Sequence, residues 1–327
     1  MDGVEVAPAA RQRSPRRSLE GNRNKSGDCR SDKARRLRLR RGRDQQKTVG
    51  GMHVLALEYP RDKLDWKVMA LKVDRCGQLG VWGCSECGGE VGRKVFYCKN
   101  RLCPGCAQRR AELMARKVVP LLETMQQPVH MVLTVKNRQD LAAADKHLRS
   151  SFQRLRDRVA FVDSFKGGLV FEETTHSLEG WHAHLHIIAD GRMEQAELSR
   201  LWQEVTGDSY IVWIQAIGGR NRKKVLNEAV KYPCKIGDIV GDPELIYEWL
   251  HYFWGRRVMW AWGSMYNVQD QVEVSDDELE QDIADTDTAL STCPLCGAHK
   301  SLQRRCGWIW QYSAVAVSGG WWIVVDT

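Results

Sequence analysis

The chain lacks any run of about 18 apolar residues, the length a membrane-spanning helix needs. Its amino terminus also lacks the apolar stretch of a secretory signal. The expectation is a soluble, cytoplasmic protein with no membrane partner. Nothing calls for disulfide staples either, since 327 residues give room for about two domains with a core of their own. Eleven cysteines in that compartment, most of them in CxxC spacing, point instead to metal. Beyond its first fifty residues the chain has almost no net charge. Residues 1–50 hold 15 Lys/Arg against 6 Asp/Glu and account for the +8 total. This stretch is poor in apolar residues and cannot bury enough surface to offset ordering entropy, which predicts a disordered basic tail. Its Arg35-Arg36-Leu37-Arg38-Leu39-Arg40-Arg41 cluster attracts phosphates in a salt-dependent way or simply aids solubility.

What the chain does have is Gly180-Trp181-His182-Ala183-His184-Leu185-His186-Ile187-Ile188. Three histidines at period two read as a β-strand with all three imidazoles on one face and Ala183, Leu185 and Ile187 on the core face. Alternate residues lie roughly 7 Å apart along a strand, close enough for two imidazoles to converge on one cation. Upstream, Cys84-Ser-Glu-Cys87 and Cys103-Pro-Gly-Cys106 have the spacing of a four-thiolate zinc site. They form the most economical ligand set, with Cys98 or Cys76 able to replace one member or to serve a second ion. Such a zinc contributes folding energy. A helix from Ala107 to Val119 follows, carrying Arg109, Arg110, Arg116 and Lys117; it lies against a phosphate backbone or is a solvated face.

Further along, Pro128 to Val135 reads as a buried strand, and residues 139–159 as a helix. Leu169 to Thr174 reads as a second strand. Paired as a hairpin with the histidine strand, it brings Glu172 or Glu173 beside the imidazoles as a third ligand, and alternation allows only one of them. The ligand set carried forward is His184, His186 and Glu172, with His182 beside them. A helix over Met193 to Thr206, a strand over Tyr210 to Ile217 and a helix over Val225 to Lys235 complete this unit. Glu228 and Tyr232 share a face of that last helix, which Pro233 kinks or ends. Lys235 follows three residues later.

In order along the chain, Cys98-x4-Cys103-Pro-Gly-Cys106-x2-Arg109-Arg110, Val132-Leu133-Thr134-Val135, Trp181-His182-Ala183-His184-Leu185-His186 and Glu228-x3-Tyr232-x2-Lys235 resemble a known family. They are similar to the rolling-circle replication initiators of small plasmids, the pC194/pUB110-like group within the HUH endonuclease superfamily. The resemblance covers roughly residues 75 to 245. It implies that His184 and His186 bind a divalent cation, Mg²⁺ or Mn²⁺, and that Tyr232 is the nucleophile. It further implies that Glu228 activates water for a terminating hydrolysis and that Lys235 assists. The substrate implied is origin DNA, single-stranded or extruded as a hairpin, with host helicase and polymerase as partners. Ala183 stands where the family often has proline.

Three alternatives use the same residues. Transposases of insertion sequences share the nicking chemistry. The histidine-triad nucleotide hydrolases use a similar His-x-His-x-His strand, with the middle histidine as nucleophile. A non-enzymatic zinc regulator needs no tyrosine.

The carboxy-terminal third says less. Leu245 to Tyr266 reads as a packed aromatic helical segment and Glu273 to Asp287 as a solvated acidic linker. Cys293, Cys296, His299 and Cys306 form a candidate second zinc site, and residues 308–327 read as a hairpin around Ser318-Gly319-Gly320. The fold class expected is α+β, an antiparallel sheet of HUH or ferredoxin-like palm type with flanking helices and cysteine-rich zinc modules. Its parts are a basic tail (1–50), a zinc module (52–120), a nicking domain (125–270), an acidic linker (271–290) and a small second zinc module (291–327).

Overall fold

A computed structural model of the protein describes residues 25–84, 90–218, 237–281, 297, 308–313 and 324–325, with side chains over 36–78, 95–218 and 237–279. The chain divides into two units, Met1–Arg40 and Arg41–Thr327.

The basic stretch expected to be disordered is helical from Lys25 (α1, Lys25–Glu58). The physical reason lies at its carboxy-terminal end. There Thr48, Met52, Leu55 and Ala56 recur at helical spacing and are all buried, so tertiary packing supplies what the basic composition could not. Residues 1–24 lie outside the described residues. Helix α2 (Trp66–Asp74) starts where the Asp65 carboxylate accepts from the Val68 amide at 3.0 Å. Strands β1 (Leu79–Cys84) and β2 (Glu90–Val95) then pair antiparallel.

Pro104 opens α3 (Pro104–Thr124). Next come β3 (Pro128–Thr134), α4 (Leu141–Arg156), α5 (Val159–Ser164), β4 (Phe165–Ser177), β5 (Gly180–Gly191), α6 (Gln195–Thr206) and β6 (Val212–Ala216). Apart from α5, which had no expected counterpart, each lies within a few residues of its expected place. Helix α7 (Pro243–Phe253) covers only the first half of the segment expected to be helical; the second half turns at Gly255 and forms strand β7 (Met259–Gly263). Alternation in Met259-Trp260-Ala261-Trp262 suits a strand, and β4 offers its free edge to it.

The central sheet has five antiparallel strands in the order β6-β3-β5-β4-β7, with the histidine strand β5 in the middle. One face carries Met131, Leu133, Val170, Ala183, Leu185 and Ile187, all fully buried, within a core shared with α4, α6 and α7. Each of these side chains larger than Ala183 contributes about 1.5–3 kcal/mol. On the other face, α3 packs through Met114, Val118 and Leu122 against Leu169, Phe171 and Ile188. The histidines of β5 share this second face.

A short α8 (Gln269–Val272) and α9 (Glu278–Gln281) follow β7. Up to Leu279 the acidic stretch is no solvated linker. Val272, Val274 and Leu279 are buried against α3, while Asp276 pairs with Arg110 at 2.5 Å and Glu278 with Lys117 at 2.5 Å. Two cations of the basic helix are therefore already matched. Strand β8 (Trp308–Ser313) pairs with β1, and β9 (Val324–Val325) pairs with β8, giving a second sheet in the order β2-β1-β8-β9. The expected terminal hairpin is represented by β8 and β9, and its turn at Ser318-Gly319-Gly320 lies outside the described residues. It extends the sheet of the cysteine-rich segment instead of standing as a module of its own, because the outer edge of β1 is open to a partner strand. No helix among the described residues is long and apolar enough to cross a membrane.

Candidate functional site

The hairpin of β4 and β5 turns within Leu178-Glu179, pairing Ser177 with Gly180. Gly180 is required there: its φ is +97°, and a Cβ would come within 2.5 Å of the Arg138 carbonyl oxygen. This turn fixes the register along the whole hairpin. Glu173 is the residue opposite His184, and Phe171 is opposite His186.

The third member of the histidine cluster is accordingly Glu173, not Glu172. Its Oε2 lies 2.5 Å from His184 Nε2 and 3.1 Å from His186 Nε2. All three side chains are buried. One donor atom from each of Glu173, His184 and His186 falls within 4.8 Å of the others, a spacing that suits one divalent cation. Glu172 points to the opposite face, where it pairs with Arg149, which also donates to Asp145 at 2.6 Å. Burial, with Asp145 beside it, holds the Glu172 carboxyl well above the usual range. Its place is the helix-covered core.

A residue passed over in the sequence completes the cluster from β3. His130 is buried, and its Nε2 lies 3.2 Å from His186 Nδ1. The two rings stack with centroids 5.4 Å apart, and Trp213 meets His130 edge-on. Burial, reinforced by His186, pushes the pKa of His130 down to about 3, so it is a neutral partner near pH 7. A His186 that gives its Nδ1–H to His130 would present a lone pair at Nε2, the tautomer a metal ligand needs. The signal was available: His130 stands four residues before Thr134, which pairs with His184, and so shares its face. His182 donates from Nδ1 to Asn137 Oδ1 at 2.7 Å, and its ring centroid lies 5.1 Å from that of His184.

Cys103 and Cys106 of the most economical set gather with both of the cysteines expected as replacements. Cys76, Cys98, Cys103 and Cys106 come together, with Cys106 Sγ at 3.5 Å from Cys76 Sγ and 3.6 Å from Cys98 Sγ. These are far longer than a disulfide, and near the edge of about 3.8 Å that four sulfurs form around zinc at about 2.3 Å. Cys103 and Cys106 lie at the start of α3, three residues apart, where the helix dipole favours thiolate. Hydrogen bonds from Cys106 and its neighbours pull the Cys103 thiol strongly down, while those with Cys103 push Cys98 and Cys106 up. So dense a set of sulfurs calls for a cation to balance it. The carboxy-terminal half of α1 clamps the cluster, Gln45 Nε2 donating to the carbonyls of Val73 at 2.7 Å and Cys76 at 3.1 Å. The Cys84 side chain and Cys87 lie outside the described residues, as do Tyr232, Glu228 and Lys235, and also Cys293, Cys296, His299 and Cys306.

The sequence model of a replication protein family matches residues 90–293, a span that holds β3, the hairpin and its histidine cluster. The chain belongs to this replication protein family. Among curated proteins, it is 28% identical over 189 residues to a "Protein rep" of Streptococcus pneumoniae serotype 2, covering 50% of this chain and 59% of that protein. A "Protein rep" of Staphylococcus aureus is 30% identical over 165 residues, covering 44% of this chain and 72% of the relative. A third, of Lentilactobacillus hilgardii, is 23% identical over 208 residues, covering 54% and 64%. The chain thus spans less than two thirds of the first relative's length. No solved structure matches significantly.

Proposed function

We propose that this protein initiates rolling-circle replication of a plasmid by nicking single-stranded origin DNA. The observation that carries the reading is the convergence of His184, His186 and Glu173 on one buried point in a chain of the replication protein family. When bound there, Mg²⁺ or Mn²⁺ would polarise the scissile phosphate and offset the charge that builds on it.

The chain's own residues supply the rest. Tyr232 attacks the phosphorus through its phenolic oxygen; the 3′-oxygen leaves and takes up a proton. The products are a 5′-phosphotyrosine and a free 3′-hydroxyl that primes synthesis. Lys235 stabilises the phenolate, whose unperturbed pKa is about 10. Glu228 later acts as general base on the water that ends the round. His130 holds His186 in register throughout. The four cysteines hold zinc as a structural ion, and a host polymerase extends the primer while a host helicase separates the strands.

Family membership favours replication over the transposase reading. The histidine-triad reading gives Glu173 and the thiol cluster no part. The test is incubation with labelled single-stranded DNA of the flanking replicon and Mn²⁺, resolved on a denaturing protein gel. A covalent band that requires both the cation and Tyr232, absent in Tyr232→Phe, is the expected outcome. No adduct under any cation, with nucleotide hydrolysis that depends on His184, would overturn it in favour of the histidine-triad chemistry.

A further inference from the structure

A cavity of about 490 Å³ lies beside the histidine cluster, where β3 runs out past Thr134 and β6 begins. Its link to the cluster is His182, which lines the cavity and whose ring adjoins that of His184. Thr134 of the cavity wall stands opposite His184 in the sheet, so the cavity opens directly next to the cation position.

Two carboxylates line it, but both are engaged. Asp208 accepts from Arg138 at 3.0 Å, His147 at 3.1 Å and Ser209 at 2.7 Å. Glu179 accepts from the Asn137 amide at 3.3 Å. Lys136 is exposed and forms no ion pair among the described residues, which leaves its ammonium available at the cavity wall. Tyr210 and Ile211 line the same cavity and stay 60% and 64% exposed, an aromatic and an aliphatic face held in water. The backbone beneath them is pinned, since Ser199 Oγ donates to the Tyr210 carbonyl at 2.6 Å and Thr134 Oγ1 to that of Ile211 at 3.0 Å. Asn137 gives its NH₂ to Glu179 and so presents its oxygen to His182. That places a proton of His182 on Nδ1.

We propose that this cavity is a nucleotide subsite, which takes the nucleotide next to the scissile phosphate of single-stranded DNA. Tyr210 stacks on its base, and Lys136 pairs with a flanking phosphate. The volume lies in the range of pockets for ligands of nucleotide size. An exposed ring beside an exposed ammonium is the combination that single-strand binding uses, stacking for the base and charge for the backbone. The inference rests on the nicking reading above.

The experiment measures binding and adduct formation by the full chain with fluorescent single-stranded origin oligonucleotides, for wild type, Tyr210→Ala, Tyr210→Phe and Lys136→Gln. Abasic sites are walked along the DNA, and Mn²⁺ affinity is measured for each protein. Tyr210→Ala should weaken binding about tenfold, with Tyr210→Phe close to wild type. An abasic site at one nucleotide should cause a similar loss in wild type and no further loss in Tyr210→Ala. Lys136→Gln should lower the slope of log affinity against log salt by about 0.7. Mn²⁺ affinity should not move in any of them. A wild type that binds and nicks while Tyr210→Ala and Lys136→Gln behave identically overturns the subsite alone. A wild type that neither binds nor nicks origin DNA overturns the nicking reading and the subsite with it.

Discussion

The molecule holds two buried clusters of metal-ligand chemistry, and they differ in how many donors they bring and in what lies next to them. Cys76, Cys98, Cys103 and Cys106 are four sulfurs, a number that by itself fills a tetrahedron. Glu173, His184 and His186 are three hard or borderline donors, which would leave a bound cation positions for a phosphate oxygen and water. The first cluster ties α1, α2 and the start of α3 together; the second sits mid-sheet beside a cavity. A saturated site stabilises a fold, and an unsaturated one can take a substrate. On the proposed reading, the same chain would separate folding and chemistry between two sets of ligands.

The largest effect expected is on the sulfur side. Cys103→Ser should cost about 3 kcal/mol or more, roughly 10 °C in Tm, with loss of one zinc by elemental analysis; an unchanged Tm and zinc content would break the contrast. Glu173→Gln should do the reverse, abolishing Mn²⁺ binding by calorimetry while leaving zinc content in place. His130→Leu should weaken Mn²⁺ binding by about 10 to 100-fold, and His130→Gln should recover part of it, because its amide oxygen can still accept from His186 Nδ1. Smallest is Glu172→Gln, which should leave Mn²⁺ affinity at the wild-type value, since its carboxyl sits on the other face of the sheet and is already held toward its neutral form. A loss of Mn²⁺ affinity there equal to that of Glu173→Gln would mean the hairpin register is shifted by one residue.

Much of this was legible in the chain itself. The period-two histidines called for a strand with one polar and one apolar face, and Ala183, Leu185 and Ile187 are fully buried on the face expected. Cys98, Cys103 and Cys106 were recognised as ligand candidates. The helix at Lys25–Glu58 was missed because composition averages over fifty residues, while its docking depends on a few, among them Thr48, Met52 and Leu55. The acidic stretch was missed for a similar reason: its carboxylates dominate the count, yet Val272, Val274 and Leu279 anchor it.

Sequence alone determined which residues could share a face, because side-chain alternation along a strand is a local property of the backbone. It therefore settled that one of Glu172 and Glu173 would meet the histidines, and that a thiol cluster would form around Cys103 and Cys106. Only the tertiary structure decided which ones. The tight turn before Gly180 sets the hairpin register and selects Glu173, since a slip of one residue exchanges the two faces. Packing of α1 and α2 brings Cys76 to sulfurs 22 or more positions away, and the pairing of β3 with β5 sets His130 against His186. Those choices depend on contacts between segments distant in the chain, which no local pattern encodes.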